Sequence, residues 1–271
     1  MNFTGYLQLE VGKKRDRSVI TNSFFDGVFK ITRPSYLPGG LPLLTLIHVG
    51  GGYVDGDTYK TEVVVHESSS LALTTQASTK VYKSPTVGVT QTMDYFLKEN
   101  SELYIKQDSL IPYKDAIFNQ NVNVYMSSTA SFYYTDIITH GWSADEKLFQ
   151  YKRVSSKMKI FVDGDLAVFD HQLLEPSANF EKIMYLEGYT HIGTMFYIHH
   201  EITNKWIDLV RSELSEHTNQ ARIGVSLLSC NGLVVRVLAN STPLIEALFN
   251  ECEGLIRKHL HLKGQIEWRK G

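Results

Sequence analysis

Lys157-Met-Lys-Ile-Phe-Val-Asp-Gly-Asp-Leu-Ala-Val-Phe169 is the stretch whose reading decides the fold class. Met158, Ile160 and Val162 recur at every second position, the period of a strand with one buried face. Asp163-Gly164 offers the positive φ angles of a tight turn, and Leu166 and Val168 resume the alternation on a returning strand. A β-hairpin is predicted here, and residues 222–230 and 233–239 repeat the device around Asn231-Gly232. Most of the chain up to about residue 200 has the same texture. Its 15 Tyr and 13 Phe, with many Val, Ile and Thr, fall in short runs bounded by turn residues.

Two helical patterns stand out near the C-terminus. After Thr203 as N-cap, Trp206, Ile207, Val210 and Leu214 recur at helical spacing. Thr242 caps a second segment with Pro243 at its first helical position, and Ile245, Leu248, Cys252, Leu255, Ile256 and His259 form one stripe. Such stripes either pack on a sheet or offer a face to a partner protein.

The 271 residues, 43% hydrophobic, can bury a substantial core. No linker, block of like charge, or repeat with a period of about 20 to 50 residues is evident, so one domain over residues 1–271 is expected. A formal net charge of -2 lacks the electrostatic footprint of a nucleic-acid binder. No apolar run approaches the roughly 18 residues needed to span a bilayer, and the N-terminus lacks a signal-peptide pattern. Cys230 and Cys252 are too few for a disulfide framework, which fits a reducing compartment. A soluble cytoplasmic protein with no nucleic-acid or membrane partner is the expectation.

The loop His48-Val-Gly-Gly-Gly-Tyr-Val-Asp-Gly-Asp-Thr58 comes one letter from a phosphate-binding P-loop, but Asp57 stands where the phosphate-reaching lysine is required. A cation suits this loop better than a polyanion. It is not an EF-hand, because Lys60 and His66 occupy the glycine and closing glutamate positions counted from Asp55. Asp55, Asp57, Asp108, Asp136 and Glu146 could supply an acid and base pair for glycoside hydrolysis, and no G-x-S-x-G elbow supports acyl transfer. The 10 histidines have poor metal-binding spacing: His199-His200, if on a strand, point to opposite faces, and His259 and His261 lie two apart near a helix end.

Leu71-Ala-Leu-Thr-Thr-Gln-Ala-Ser-Thr-Lys-Val-Tyr-Lys-Ser84, taken with Gly50-Gly-Gly-Tyr-Val-Asp-Gly-Asp57, closely resembles the urease accessory proteins called UreD or UreH. Their shared pattern is a G-G-D loop followed by T-T-Q-A-x-T-K-V-Y-x-S. Leu103-Tyr-Ile-Lys-Gln-Asp-Ser-Leu-Ile-Pro112 and the C-terminal hairpin extend the likeness, as does Tyr134-Thr-Asp-Ile-Ile-Thr-His-Gly141, where tyrosine replaces the family's tryptophan. Matches in order run from about residue 3 to 262.

The resemblance implies a mainly β fold, a β-helix-like stack of strands with two C-terminal α-helices. It also implies a non-enzymatic role in urease maturation: binding UreF, through it the GTPase UreG, and apo-urease, while nickel(II) passes transiently along a hydrated tunnel with no tightly bound cofactor. Carried over by motif, Asp57, Asp136 and Asp170 fall on that nickel path, with Glu146 a looser match because 141–146 departs from the family's G-R-x-x-x-G-E. Carboxylate and water ligands hold a borderline ion weakly and exchange it fast, as a conduit requires. Asp57 as a turn cap and Asp136 as a paired framework residue are the alternatives. Thr74, Thr75, Gln76 and Lys80 are read as bonding across strands, and Tyr53 and Tyr82 as core or interface aromatics. Two other functions remain open: a β-fold carbohydrate-active hydrolase using an aspartate pair, and a plain partner-binding module.

Overall fold

Period-2 alternation becomes strand almost everywhere in the computed structural model, which describes residues 3–176, 185–262 and 266–268. Two long strands, β1 (Gly5–Lys14) and β2 (Arg17–Gly27), make an opening hairpin, and β3 (Phe29–Ile31) and β4 (Ser35–Tyr36) lead from it. The chain then winds in coils. β5 (Pro42–His48) is followed by β6 (Thr58–Val65), and β7 (Ser70–Thr75) and β8 (Thr79–Val81) by β9 (Val89–Leu97). Next come β10 (Glu102–Lys106), β11 (Leu110–Pro112) and β12 (Ile117–Met126), then β13 (Ser131–Ile138) and β14 (Arg153–Val162).

Equivalent strands of successive coils pair in parallel, giving a stacked, solenoid-like body with two broad sheets. β6, β9, β12 and β14 stack in one sheet, which β1 extends. β5, β7, β10 and β13 stack in the other. β8 and β11, with bridges Tyr53–Val81 and Tyr113–Trp142, make a narrow third side. Ser70, Glu102 and Ser131 stand in register, 32 and 29 residues apart. The coil repeat is therefore real although no sequence repeat announces it. Each coil needs only the same in/out alternation, which many different residues satisfy.

β15 (Asp165–Leu174) returns antiparallel on β14 and forms one edge of the seven-stranded sheet. The second sheet is prolonged by antiparallel strands β16 (His191–Ile198), β18 (Gly232–Ala239) and, at its edge, β17 (Arg222–Leu227). Helix α1 (Lys205–Glu213), extended by a 3-10 turn at Leu214–His217, precedes β17, and α2 (Thr242–His259) follows β18. No helix among the described residues is long and apolar enough to cross a membrane.

Two apolar layers result. Leu9, Val63, Tyr95, Val124 and Ile160 of the first sheet meet Leu44, Leu71, Leu103 and Phe132 of the second inside the solenoid. Ile245, Leu248, Phe249, Cys252 and Ile256 of α2 cover the other face of the second sheet at Tyr133, Met195 and Val235. With both faces covered, β13 is buried at every residue, while β9 and β12, with one face toward solvent, largely alternate.

Several local expectations shift. Asp163 and Gly164 do take φ of +50° and +94°. A bulge beside Ile160 and Phe161 makes Ala167 the extra residue, so Leu166 pairs with Phe161 and faces outward while Val168 pairs with Ile160 and faces in. The second hairpin closes at Leu227–Leu233 through a longer loop, with Gly232 already in β18, where its backbone lies close to Ile198. The helix caps are Asn204 and Ser241, one residue from Thr203 and Thr242. His259 lies outside the buried stripe of α2, its Nδ1 2.9 Å from Leu255 O. The amphipathic faces of both helices pack inward, α1 against β17 and α2 against β18, β13 and β16.

Candidate functional site

Both family-like motifs line one cleft of about 140 Å³ at the start of the coils, formed by Gly50–Gly52 facing Thr75–Lys80, with His48 and Tyr53 at its wall. Gly52 has φ of +143°, and a Cβ there would sit 2.8 Å from Lys80 O, so the close approach of the two loops requires glycine. Tyr53 is a core aromatic stacked 3.8 Å from Tyr59, and Tyr82 donates to Gly51 O at 2.8 Å.

Asp57 closes the glycine turn. Its carboxylate accepts from Val54 N at 2.8 Å, Thr4 Oγ1 at 3.1 Å and Tyr59 Oη at 2.8 Å. Tyr59 Oη in turn lies 3.3 Å from His48 Nε2, whose imidazole burial pushes below its ordinary pKa. Asp55 works the same way on the next coil, accepting from Gly88 N at 2.7 Å, Val87 N at 3.1 Å and Thr86. The Thr86 hydroxyl and these amides hold its carboxyl below the usual range. Asp57→Ala is expected to lower stability by about 1–3 kcal/mol, since a backbone amide and two hydroxyls lose their acceptor. A urea midpoint unchanged from wild type would contradict that role.

A polar vein runs from this cleft through the apolar interior. In the first sheet Tyr59, Gln91, Gln120, Ser156 and Gln172 stand side by side on successive strands. In the second, Asp136, Thr194 and Arg236 are likewise in register. Gln120 Nε2 joins the two rows, lying 2.8 Å from Asp136 Oδ2, 3.0 Å from Ser156 Oγ and 3.3 Å from Tyr134 Oη. Gln107 Nε2 donates to the same Tyr134 hydroxyl at 3.1 Å, so tyrosine brings an oxygen into the vein where the family pattern has tryptophan. Beyond, Asp170 pairs with Arg236, whose other nitrogen reaches Thr194 Oγ1 at 3.3 Å, and Gln172 Nε2 donates to Thr194 at 2.9 Å. Beside the vein, a pocket of about 20 Å³ is bounded by Thr61, Thr75, Gln91 and Gln107 together with the apolar Leu46, Leu73, Met93 and Ile105.

Asp136 is 8% exposed. Burial raises its carboxyl pKa, and hydrogen bonds from Gln120, Ile137 N and Ser156 oppose the rise while the nearby Asp170 adds to it. The structure thus brings Asp136 and Asp170 into one electrostatic neighbourhood and sets Asp57 in the turn beside the cleft. It leaves Glu146 exposed, with φ of +56°, on the loop between β13 and β14. Thr75 does bond across coils: its hydroxyl donates to Asp108 Oδ2 at 3.0 Å and accepts from Asp108 N at 2.8 Å.

His199 and His200 follow the end of β16 in a turn, and their rings stack at 4.4 Å instead of pointing to opposite faces. Among the described residues no group of three or more His, Cys, Asp or Glu is placed to hold one metal ion.

Gln91, Gln120 and Ser156 went unread as site residues, yet the sequence carries a signal for them. Gln91 shares parity with Val89, Met93 and Tyr95, Gln120 with Phe118, Val122 and Val124, and Ser156 with Val154, Met158 and Ile160. Polar residues at core positions of three strands require mutual partners.

Fold and site together define a solenoid-like β protein with a polar vein through its core and helices covering one sheet. The chain matches the family described as UreD urease accessory protein over residues 4–269 and belongs to it. Proteins named urease accessory protein UreD are similar along their whole length. The one from Bacillus sp. strain TB-90 is 40% identical over 270 residues, covering 100% of both chains. That of Lachnoclostridium phytofermentans is 36% identical over 267 residues, 98% of this chain and 97% of its own. That of Bacillus cereus is 32% identical over 269 residues, 98% of each.

Proposed function

We propose that this protein is a maturation scaffold that passes nickel(II) toward apo-urease along its polar vein, working in the cytoplasm with UreF and, through UreF, the GTPase UreG. The observation that carries the reading is the run of oxygen-bearing side chains from the glycine cleft through Gln120 and Asp136 to Asp170. Amide, hydroxyl and carboxylate oxygens bind a borderline divalent ion weakly, whereas imidazole and thiolate hold it. Burial holds the Asp136 carboxyl above its ordinary range, and a cation binds a carboxylate in competition with its proton. Asp170 is neutralised by Arg236, and a cation reaches it only when the guanidinium moves aside.

Asp136→Asn with Asp170→Asn preserves side-chain size and removes both charges. In cells expressing the full urease gene set, the double variant is expected to fold and to bind its partners. It should lower urease activity per nickel supplied by at least about tenfold, the scale on which groups around metal sites act. Full activation would sink the conduit. The double variant spares Asp57, which holds the glycine turn, and Glu146, which lies at the surface. The hydrolase reading has less support, because Asp136 is nearly buried and the Asp55 and Asp57 carboxylates are taken up by backbone amides. A module acting through exposed helix faces is disfavoured by the burial of α2 on the second sheet.

A further inference from the structure

The solvent face of the first sheet is not uniformly polar. Phe96, Tyr125 and Phe161 stack on it from three successive strands, with centroids 5.1 and 5.0 Å apart and planes within 11° and 8°. A ladder like this stabilises the sheet by itself, but the apolar surface continues past it. Leu166, the next residue in register, is 53% exposed. Phe169 and Leu173, outward on the same edge strand β15, are 58% and 50% exposed. Edge strands are normally blunted with charge because an apolar edge invites association, and a contiguous apolar patch of this kind marks a contact surface.

Charge on the patch specifies the partner. Lys159 lies directly opposite Phe169 and Lys157 opposite His171. Neither lysine has an ion-pair partner among the described residues, in contrast to Lys60 on the same face, which is paired with Asp94. Of the acidic groups nearest in the ladder, Asp94 is engaged by Lys60 and Asn123 and Asp163, at the hairpin tip, by Ser128 N at 3.1 Å, while Asp165 stands opposite Val162 at the tip end of β15.

We propose that this face, centred on Tyr125, Phe161, Leu166 and Phe169 with Lys157 and Lys159, docks a partner protein that presents carboxylates beside apolar side chains. Aromatic groups supply the desolvated centre and the lysines set orientation and association rate. The surface lies outside the polar vein, so the proposal uses the urease reading only to choose probes.

The test compares wild type with Phe169→Ser and with the double charge reversal Lys157→Glu, Lys159→Glu, all at exposed or half-exposed positions that should leave the melting temperature unchanged. The probes are purified apo-urease and each other accessory protein of its gene set, with affinity measured by biolayer interferometry at low and high salt. Both variants are expected to weaken binding of one probe at least about tenfold, the wild-type affinity to fall with salt, and the charge reversal to remove or invert that salt dependence. Unchanged affinities for every probe would overturn the proposal. So would a wild-type dimer in sedimentation equilibrium that Phe169→Ser dissolves, which would give the face to a second copy. Because affinity is read without nickel, failure here is separate from failure of the conduit.

Discussion

Replacing Arg257 by methionine is expected to lower stability by about 3–5 kcal/mol at pH 8, and by much less at pH 5. Glu253 and Arg257, one turn apart on α2, have side chains 0% and 8% exposed, with Nε 3.5 Å from Oε1. The guanidinium also lies 5.1 Å over the Tyr104 ring. Glu253 Oε1 accepts in addition from Ile266 N at 3.3 Å, which ties the C-terminal segment to the helix. Burial pushes the Glu253 carboxyl up to about 7, against the pull of Arg257 and Lys106.

The sign follows from proton counting. Between the ordinary carboxyl range and about pH 7 the folded chain holds a proton on Glu253 that the unfolded chain has released. Stability associated with this group is therefore complete at low pH and is lost as pH rises through about 7, a change on the order of 3 kcal/mol. Without Arg257 the carboxyl is raised further and the loss at alkaline pH grows. Urea denaturation of wild type and Arg257→Met from pH 5 to 8.5 checks this. Parallel stability curves for the two proteins would show that the arginine contributes packing alone. Glu253→Gln serves as the companion variant: it should remove the wild-type decline between pH 5 and 7.

Gly193→Leu is the second large effect, expected to cost roughly 3 kcal/mol or more through overpacking. Gly193 sits in β16 beneath α2, where even a Cβ would come within 2.4 Å of Ile245 Cγ2 and 2.8 Å of Phe249 Cζ. Ile245 is 0% and Phe249 2% exposed, so neither can swing into solvent. Relief requires α2 to lift from the sheet, which strips water-excluding cover from Met195, Tyr197 and Val235. Gly224 in β17 is the control. Nothing lies within 4 Å of its added Cβ, and Gly224→Ala should be close to neutral. Equal denaturation midpoints for the Gly193 and Gly224 variants would contradict the packing described here.

Legibility divides along physical lines. The hairpin at 157–169 could be read because Asp163-Gly164 supplies a local backbone requirement and the alternation beside it is local too. Its bulge could not, since which of Leu166 and Val168 turns inward depends on pairing with β14. Pro243 marked the start of α2, but the burial of Glu253 and Arg257 is not local information, because the tyrosines that enclose them, Tyr104, Tyr133 and Tyr197, come from three separate strands. Asp57 and Thr75 were singled out by motif, and the fold gives each a bonding role between coils or within a turn. Asp136 and Asp170 gained a common environment only when β13 and β15 were brought face to face across the interior.

By itself, then, the sequence determined strand texture, the main turns, the positions of both helices and the family, because these rest on alternation, φ preference and short motifs within reach of a few residues. Tertiary structure alone decided the coil register, the polar vein, the buried ion pair and the exposed apolar edge. Each of those depends on side chains contributed by separate strands and helices, whose burial and charge acquire meaning only from the neighbours that folding supplies.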